Sequence, residues 1–177
     1  NKKNIKLIDT RNIYEVNIGS FKGAINPETT SFREFPNKIE KMNIRKKDKI
    51  AMFCTGGIRC EKASSYLIKN GYKNIFQLSG GILNYLEYNK KNKKKSLWNG
   101  ECFVFDDRVT VNQKLEKGKY FQCYGCRHPI TSKDMKSKNY KKGVYCPKCY
   151  KYRTVKQRHR SESRQNQINL ADTKKIK

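Results

Sequence analysis

The sequence predicts an α/β domain, a parallel sheet with helices on both faces, followed by a small cysteine-rich region. Three observations carry this expectation. Short apolar runs at Ile5-Lys6-Leu7-Ile8, Lys49–Phe53 and Asn74–Leu78 alternate with stretches of helical periodicity, as in strands joined by crossover helices. A basic stretch without apolar side chains, residues 90–96, then interrupts the pattern. Beyond it lie two Cys-x-x-Cys pairs in a region of low hydrophobic content.

Taken in order, Ile5–Ile8 reads as a strand ended by Asp9-Thr10-Arg11. Asn12 to Ile18 suits a short helix stopped at Gly19, and Phe21 to Ile25 a short extended piece closed by Asn26-Pro27. Phe32, Phe35, Ile39 and Met42 recur at helical spacing, with Pro36 expected to break or kink that helix. Lys49–Phe53 is a strand, Glu61 to Asn70 a helix with Gly71 as its stop, Asn74–Leu78 a further strand, and Ile82 to Tyr88 a closing helix. Ligands of such sheets bind beyond the carboxyl ends of the strands, where Asp9 and Cys54 both fall, so the two are expected to share a cleft. The predicted organisation is an α/β domain over 1–89, a basic linker over 90–96, a cysteine-rich region over 97–150 and a basic tail over 151–177. Within the third of these, Glu101–Phe105 reads as a strand holding Cys102 as inert core. The tail is expected to be a solvated helix or partly disordered. The start at Asn1, just ahead of a strand, predicts that N-terminal material including a first strand is missing.

Composition narrows the function. The 177 residues carry 41 basic and 15 acidic side chains, net +26, an excess that points to a polyanion, and nucleic acid is the usual one. Lysine outnumbers arginine 31 to 10, a bias that accounts for part of the charge without function. Residues 1–89 are net +8 and residues 90–177 net +18, which makes the second half the better candidate for a phosphate-facing surface. No apolar run approaches a membrane span, so no membrane role is expected and a cytoplasmic setting is. Seven cysteines in a reducing compartment are then thiols or metal ligands.

The chemistry concentrates at Cys54-Thr55-Gly56-Gly57-Ile58-Arg59-Cys60. A cysteine between a strand and a helix faces that helix's N–H groups, which favour the reactive thiolate. Gly56 and Gly57 let successive amides converge into an anion nest, and Arg59 adds positive charge at the rim. The competing reading is a buried packing cysteine, which needs neither the glycine pair nor the arginine. Cys60 suits either a resolving thiol or packing beneath the loop. Phosphatase loops place one more residue between cysteine and arginine than the four here, and the tighter ring suits a persulfide sulfur.

Cys123-x-x-Cys126 and Cys146-x-x-Cys149, with 19 residues between them, have zinc-ribbon spacing. Four thiolates close a tetrahedral shell, so this zinc is expected to be structural; free thiols are the alternative. His128 is read as a surface or nucleic-acid-facing residue rather than a fifth ligand.

Residues from about Ile5 to Tyr88 resemble a rhodanese homology domain. A closer resemblance spans nearly the whole chain. Ile8–Asn12 with Tyr14-Glu15, Gly19–Pro27, Phe32–Pro36, Met52–Ala63, Gly80–Leu83 with Tyr85-Leu86, Leu97-Trp98, Gly100–Val109 and the four paired cysteines resemble the bacterial tRNA uridine hydroxylases. That resemblance implies a rhodanese-like sheet and oxygen-dependent conversion of the wobble uridine of tRNA to 5-hydroxyuridine. Cys54 would be its active residue; the loop chemistry read above adds Arg59 as a catalytic residue, with Thr55, Gly56, Gly57, Ile58, Cys60 and Asp9 expected around them. It also implies tRNA as partner, molecular oxygen as co-substrate, and an N-terminal domain that this sequence does not show. No motif here marks a flavin, NAD, haem or two-histidine iron site. The alternatives are a sulfurtransferase passing persulfide sulfur to an acceptor, and a non-catalytic RNA-binding rhodanese module.

Overall fold

The computed structural model describes residues 5–175, which divide into two compact units at the junction of Gly118 and Lys119. In the first unit, β1 (Ile5–Asp9), α1 (Ile13–Val16) and β2 (Gly19–Phe21) are followed by a 3-10 turn (Phe32–Glu34) and α2 (Phe35–Glu40). Then come β3 (Lys49–Phe53), α3 (Ile58–Lys69), β4 (Asn74–Gln77) and α4 (Gly81–Lys91). Short strands β5 (Trp98–Gly100), β6 (Cys102–Phe103) and β7 (Thr110–Val111) complete it.

The sheet is parallel, ordered β1-β3-β4, with Ile5 beside Lys49 and Asp9 beside Phe53. Ile25 extends it past β1, accepting from the Asp9 N–H and donating to the Leu7 carbonyl. Strand alternation sorts the side chains to two faces. Ile8, Ile50 and Met52 meet Phe35, Ile39, Ala63 and Leu67 from α2 and α3. Leu7 and Phe53 meet Ile82 and Leu86 from α4, with Trp98, Cys102, Val104 and Val111. Both faces are therefore covered, as parallel sheets require.

Several boundaries differ from the sequence reading. Pro36 starts α2 instead of breaking a helix, because an early helical position needs no N–H donor. The helix expected from Glu61 begins at Ile58, directly after Gly57 at φ 101°, a conformation glycine tolerates. The expected linker at 90–96 does not mark the division: α4 runs into it, and Trp98–Gly100 pairs antiparallel with β2. The cysteine-rich region thus begins near residue 119 and not at 97, since Trp98, Cys102, Val104 and Val111 are core of the first unit. The expectation of a missing first strand concerns sequence outside the described residues.

In the second unit, β8 (Phe121–Gln122) pairs antiparallel with β9 (Pro129–Ile130), followed by α5 (Ser132–Met135) and α6 (Val155–Lys175). Its core is Cys123, Ile130, Cys146 and Cys149, packed by Tyr140 and Tyr145. The expected basic tail is α6, an almost entirely polar helix. It is held by guanidinium groups on carbonyl oxygens rather than by an apolar stripe: Arg153 to Gly125 at 2.5 Å, Arg158 to Tyr150 at 2.5 Å and Arg164 to Gly143 at 3.0 Å. No helix among the described residues is long and apolar enough to cross a membrane.

Candidate active site and metal centre

Strand β3 ends at Phe53, and the chain turns through Cys54–Gly57 into α3. The Gly57 N–H donates to Cys54 Sγ at 3.1 Å. The Cys54 thiol is pulled down to about 5, first by a hydrogen bond from the Cys60 side chain and then by the amides of Cys60, Gly57 and Arg59; burial opposes this without prevailing. The sulfur is thus held as a thiolate by the loop and the first turn of the helix. Cys60 is pushed upward by the same contact and stays protonated. It is fully buried, 3.6 Å from the Thr10 hydroxyl, so it serves as a donor beneath the loop.

The loop is clamped from the other side by α4. The N–H groups of Ile82 and Leu83 donate to the carbonyls of Cys54 and Thr55 at 2.9 and 3.2 Å. Gly81 stands at φ 66°, and a Cβ there would lie 2.5 Å from the Cys54 carbonyl oxygen. Only glycine lets α4 approach this closely.

Cys54 is 2% exposed, yet it lines a cavity of about 370 Å³ together with Thr55, Gly56, Ile58 and Arg59. Leu83, Val104, Phe105 and Asp106 form the opposite wall. Volumes of about 300–1,000 Å³ are typical of small-ligand sites. Phe105 is 72% exposed and stands edge-on to Phe103, with the Arg59 guanidinium 5.8 Å from its ring centre. The turn that presents it is closed by Val104 N–H to the Val109 carbonyl at 2.9 Å. Val109 sits at φ 65°, an uncommon backbone state for a β-branched residue and one that costs about 1–3 kcal/mol.

Two sequence-predicted residues have other duties. Asp9 does not line this cavity. It is fully buried, bound by Arg11 through Nε at 2.9 Å and Nη2 at 2.7 Å and by the Ser20 hydroxyl at 2.8 Å. The carboxyl end of β1 is occupied by this ion pair, with Arg11 stacked 4.9 Å over Trp98, so Asp9 and Cys54 share no cleft. Arg59 lines the cavity but is not a free charge. It forms a two-point pair with buried Glu15 at 2.5 and 2.8 Å, which holds its guanidinium protonated against the cost of burial. Glu15, Gly81, Leu83 and Phe105 were not legible as site residues. Glu15 looks like an ordinary helix-start acid, and Phe105 like the end of a core strand.

Cys102, beside this region, is buried and its thiol is raised to about 12 by burial, which makes it an inert packing residue. In the second unit the Sγ atoms of Cys123, Cys126, Cys146 and Cys149 lie within 4.8 Å of one another. The contacts Cys123–Cys149, Cys126–Cys146 and Cys146–Cys149 measure 4.0, 3.9 and 3.9 Å. A tetrahedral zinc with Zn–S near 2.3 Å needs sulfurs about 3.8 Å apart, so the quartet has the right dimensions for a metal.

The family of rhodanese-like domains matches residues 1–88. A tRNA uridine(34) hydroxylase of Pelagibacter ubique is 53% identical over 171 residues, 97% of this chain and 56% of that protein. The chain therefore spans little more than half the length of that relative. Among solved structures, a rhodanese-related protein of Thermoplasma volcanium is 28% identical with a TM-score of 0.42, covering 49% of this chain and 80% of its own. A rhodanese-like domain from Anabaena is 18% identical with a TM-score of 0.41, covering 48% and 92%.

Proposed function

We propose that this chain is a rhodanese-domain tRNA uridine hydroxylase that hydroxylates carbon 5 of the wobble uridine of tRNA in a cytoplasmic, oxygen-dependent reaction, a reading supported by its rhodanese-like residues 1–88 and by its likeness to the Pelagibacter ubique protein. The observation that carries the reading is the composition of the Cys54 cavity. One wall is the thiolate loop. The other is Val104, Phe105 and Asp106, which lie beyond the residues matched by rhodanese-like domains. A sulfur nucleophile facing an exposed aromatic ring suits a planar base, and a base must leave its stack to reach it.

In the proposed chemistry the uracil lies against Phe105. The Cys54 thiolate, or a persulfide on it, adds to carbon 6, and the ring electrons move to carbon 5 and its neighbouring carbonyl. Loop amides and the Arg59–Glu15 pair face the charge that develops. Carbon 5 takes one atom of molecular oxygen. The second atom leaves as water, which requires a two-electron donor. Loss of the carbon-5 proton and departure of the sulfur restore the double bond. Because Glu15 neutralises Arg59, the amides carry most of the stabilisation.

Zinc is the metal that fits the second unit. Cys123, Cys126, Cys146 and Cys149 would hold it as a closed four-thiolate shell, and it would supply folding free energy there and no open coordination site.

Nucleoside mass spectrometry tests the reading. A strain lacking the gene, complemented with the full-length protein, should regain 5-hydroxyuridine, whereas a Cys54→Ser copy should not. Normal 5-hydroxyuridine in the Cys54→Ser strain, or thiosulfate-to-cyanide turnover with no effect on tRNA, would overturn it.

A further inference from the structure

The second unit, residues 119–177, carries 17 basic and 3 acidic side chains, net +14. Four of these cations are committed to the fold, since Lys148, Arg153, Arg158 and Arg164 bind backbone carbonyls. The charges left for a ligand are therefore specific ones. Between the first cysteine knuckle and α6 lies a cavity of about 450 Å³, walled by Tyr124, Arg127 and Lys142 on one side. Gln165, Ile168 and Asp172 of α6 form the other.

Tyr124 is 50% exposed, although it sits between two metal-ligand positions where a small residue would serve. Its backbone is fixed by Arg164, which donates to the Tyr124 carbonyl at 2.9 Å. Arg127 lies 5.7 Å from the centre of its ring. The Arg127 backbone is at φ 66°, uncommon for a long side chain, and is held by its N–H on the Cys123 carbonyl at 2.6 Å. Neither Arg127 nor Lys142 forms an ion pair among the described residues. An aromatic face, two unneutralised cations, an apolar contact and one carboxylate acceptor are the groups that a single nucleotide uses.

We propose that this cavity binds an unpaired nucleotide of the RNA substrate, separately from the base that enters the Cys54 pocket. The base stacks on Tyr124 against Ile168, Arg127 and Lys142 take the flanking phosphates, and Asp172 accepts from a base amine or ribose hydroxyl. The proposal rests on the tRNA reading above and adds a second anchoring point to it.

The test uses the full zinc-loaded chain and unmodified tRNA transcript, with affinity measured by fluorescence anisotropy over a range of salt. Tyr124→Ala should weaken binding about tenfold or more, and Tyr124→Phe should restore it, since the ring does the work. Arg127→Ala with Lys142→Ala should lower the slope of log affinity against log salt by about 0.7 for each phosphate left without its cation. Zinc content and the helical circular dichroism of α6 check that each variant is folded. Variants that bind tRNA as the wild type does would overturn the cavity assignment and leave the hydroxylase reading intact. A wild-type chain that fails to bind tRNA would remove both. Equal losses of affinity for tRNA and for poly-glutamate would also overturn the assignment, by marking the cavity as a site for an acidic protein.

Discussion

Cys54 is the residue on which the proposed chemistry turns, and its environment sets a measurable pH profile. Its thiol is held at about 5 by the Cys60 side chain and by loop amides, against an unperturbed value of about 8.5. Alkylation by iodoacetamide should therefore be nearly constant from about pH 6 to 8 and fall below about pH 5. A midpoint near 8.5 would contradict the geometry. Cys60→Ala should move the midpoint upward by removing the first of these donors. The sign for stability follows from linkage. A folded value below the unfolded one stabilises the chain above the unfolded value and is lost as pH falls through about 5. The buried Asp9–Arg11 pair makes a separate prediction at this scale. Asp9→Ala strands the Arg11 guanidinium in the core and should cost about 3–5 kcal/mol in urea unfolding.

The decisive elements are α3 and α4, because the loop between β3 and α3 is held from both. Helix α3 supplies amides to the sulfur, and α4 supplies amides to the carbonyls of Cys54 and Thr55. Gly81→Ala should be far more damaging than a helix-start alanine normally is, because its Cβ would press on the Cys54 carbonyl. The expected outcome is a raised Cys54 alkylation midpoint and loss of hydroxylation, with Trp98 fluorescence little changed. The turn at 104–109 has the complementary part. Phe105→Ala removes the aromatic wall but leaves the thiolate loop untouched, so it should impair tRNA hydroxylation about tenfold or more while the alkylation profile stays the same.

Across the whole molecule, the two units draw their stability from different sources. The first has buried faces on both sides of its sheet, whereas the second has a core of three cysteines and Ile130, flanked by Cys126 and two tyrosines. Trp98 is the single tryptophan and belongs to the first unit, so its fluorescence reports on that unit alone. Zinc removal by a strong chelator should release four thiols to a colorimetric reagent and lower helical circular dichroism through loss of α6. The Trp98 signal should persist. Loss of both signals together would show that the first unit also depends on the metal.

Periodicity alone determined the parallel α/β character, the strands at Ile5, Lys49 and Asn74, and the following helices, because strand and helix repeats follow directly from which side chains must be buried. The Cys54 loop and the cysteine quartet were equally legible, since each is built from short contiguous motifs whose residue types have one dominant chemistry. Pairings between distant segments were not. Nothing local distinguishes Trp98–Val111 as core of the first unit, marks Glu15 as the partner of Arg59, or tells that Asp9 is consumed by Arg11. Nor does the sequence show that Phe105 faces the Cys54 pocket or that Gly81 presses on its loop. Most of these contacts join residues far apart along the chain, and whether a charge is free or neutralised, or a ring buried or presented, depends on the neighbours that folding brings to it.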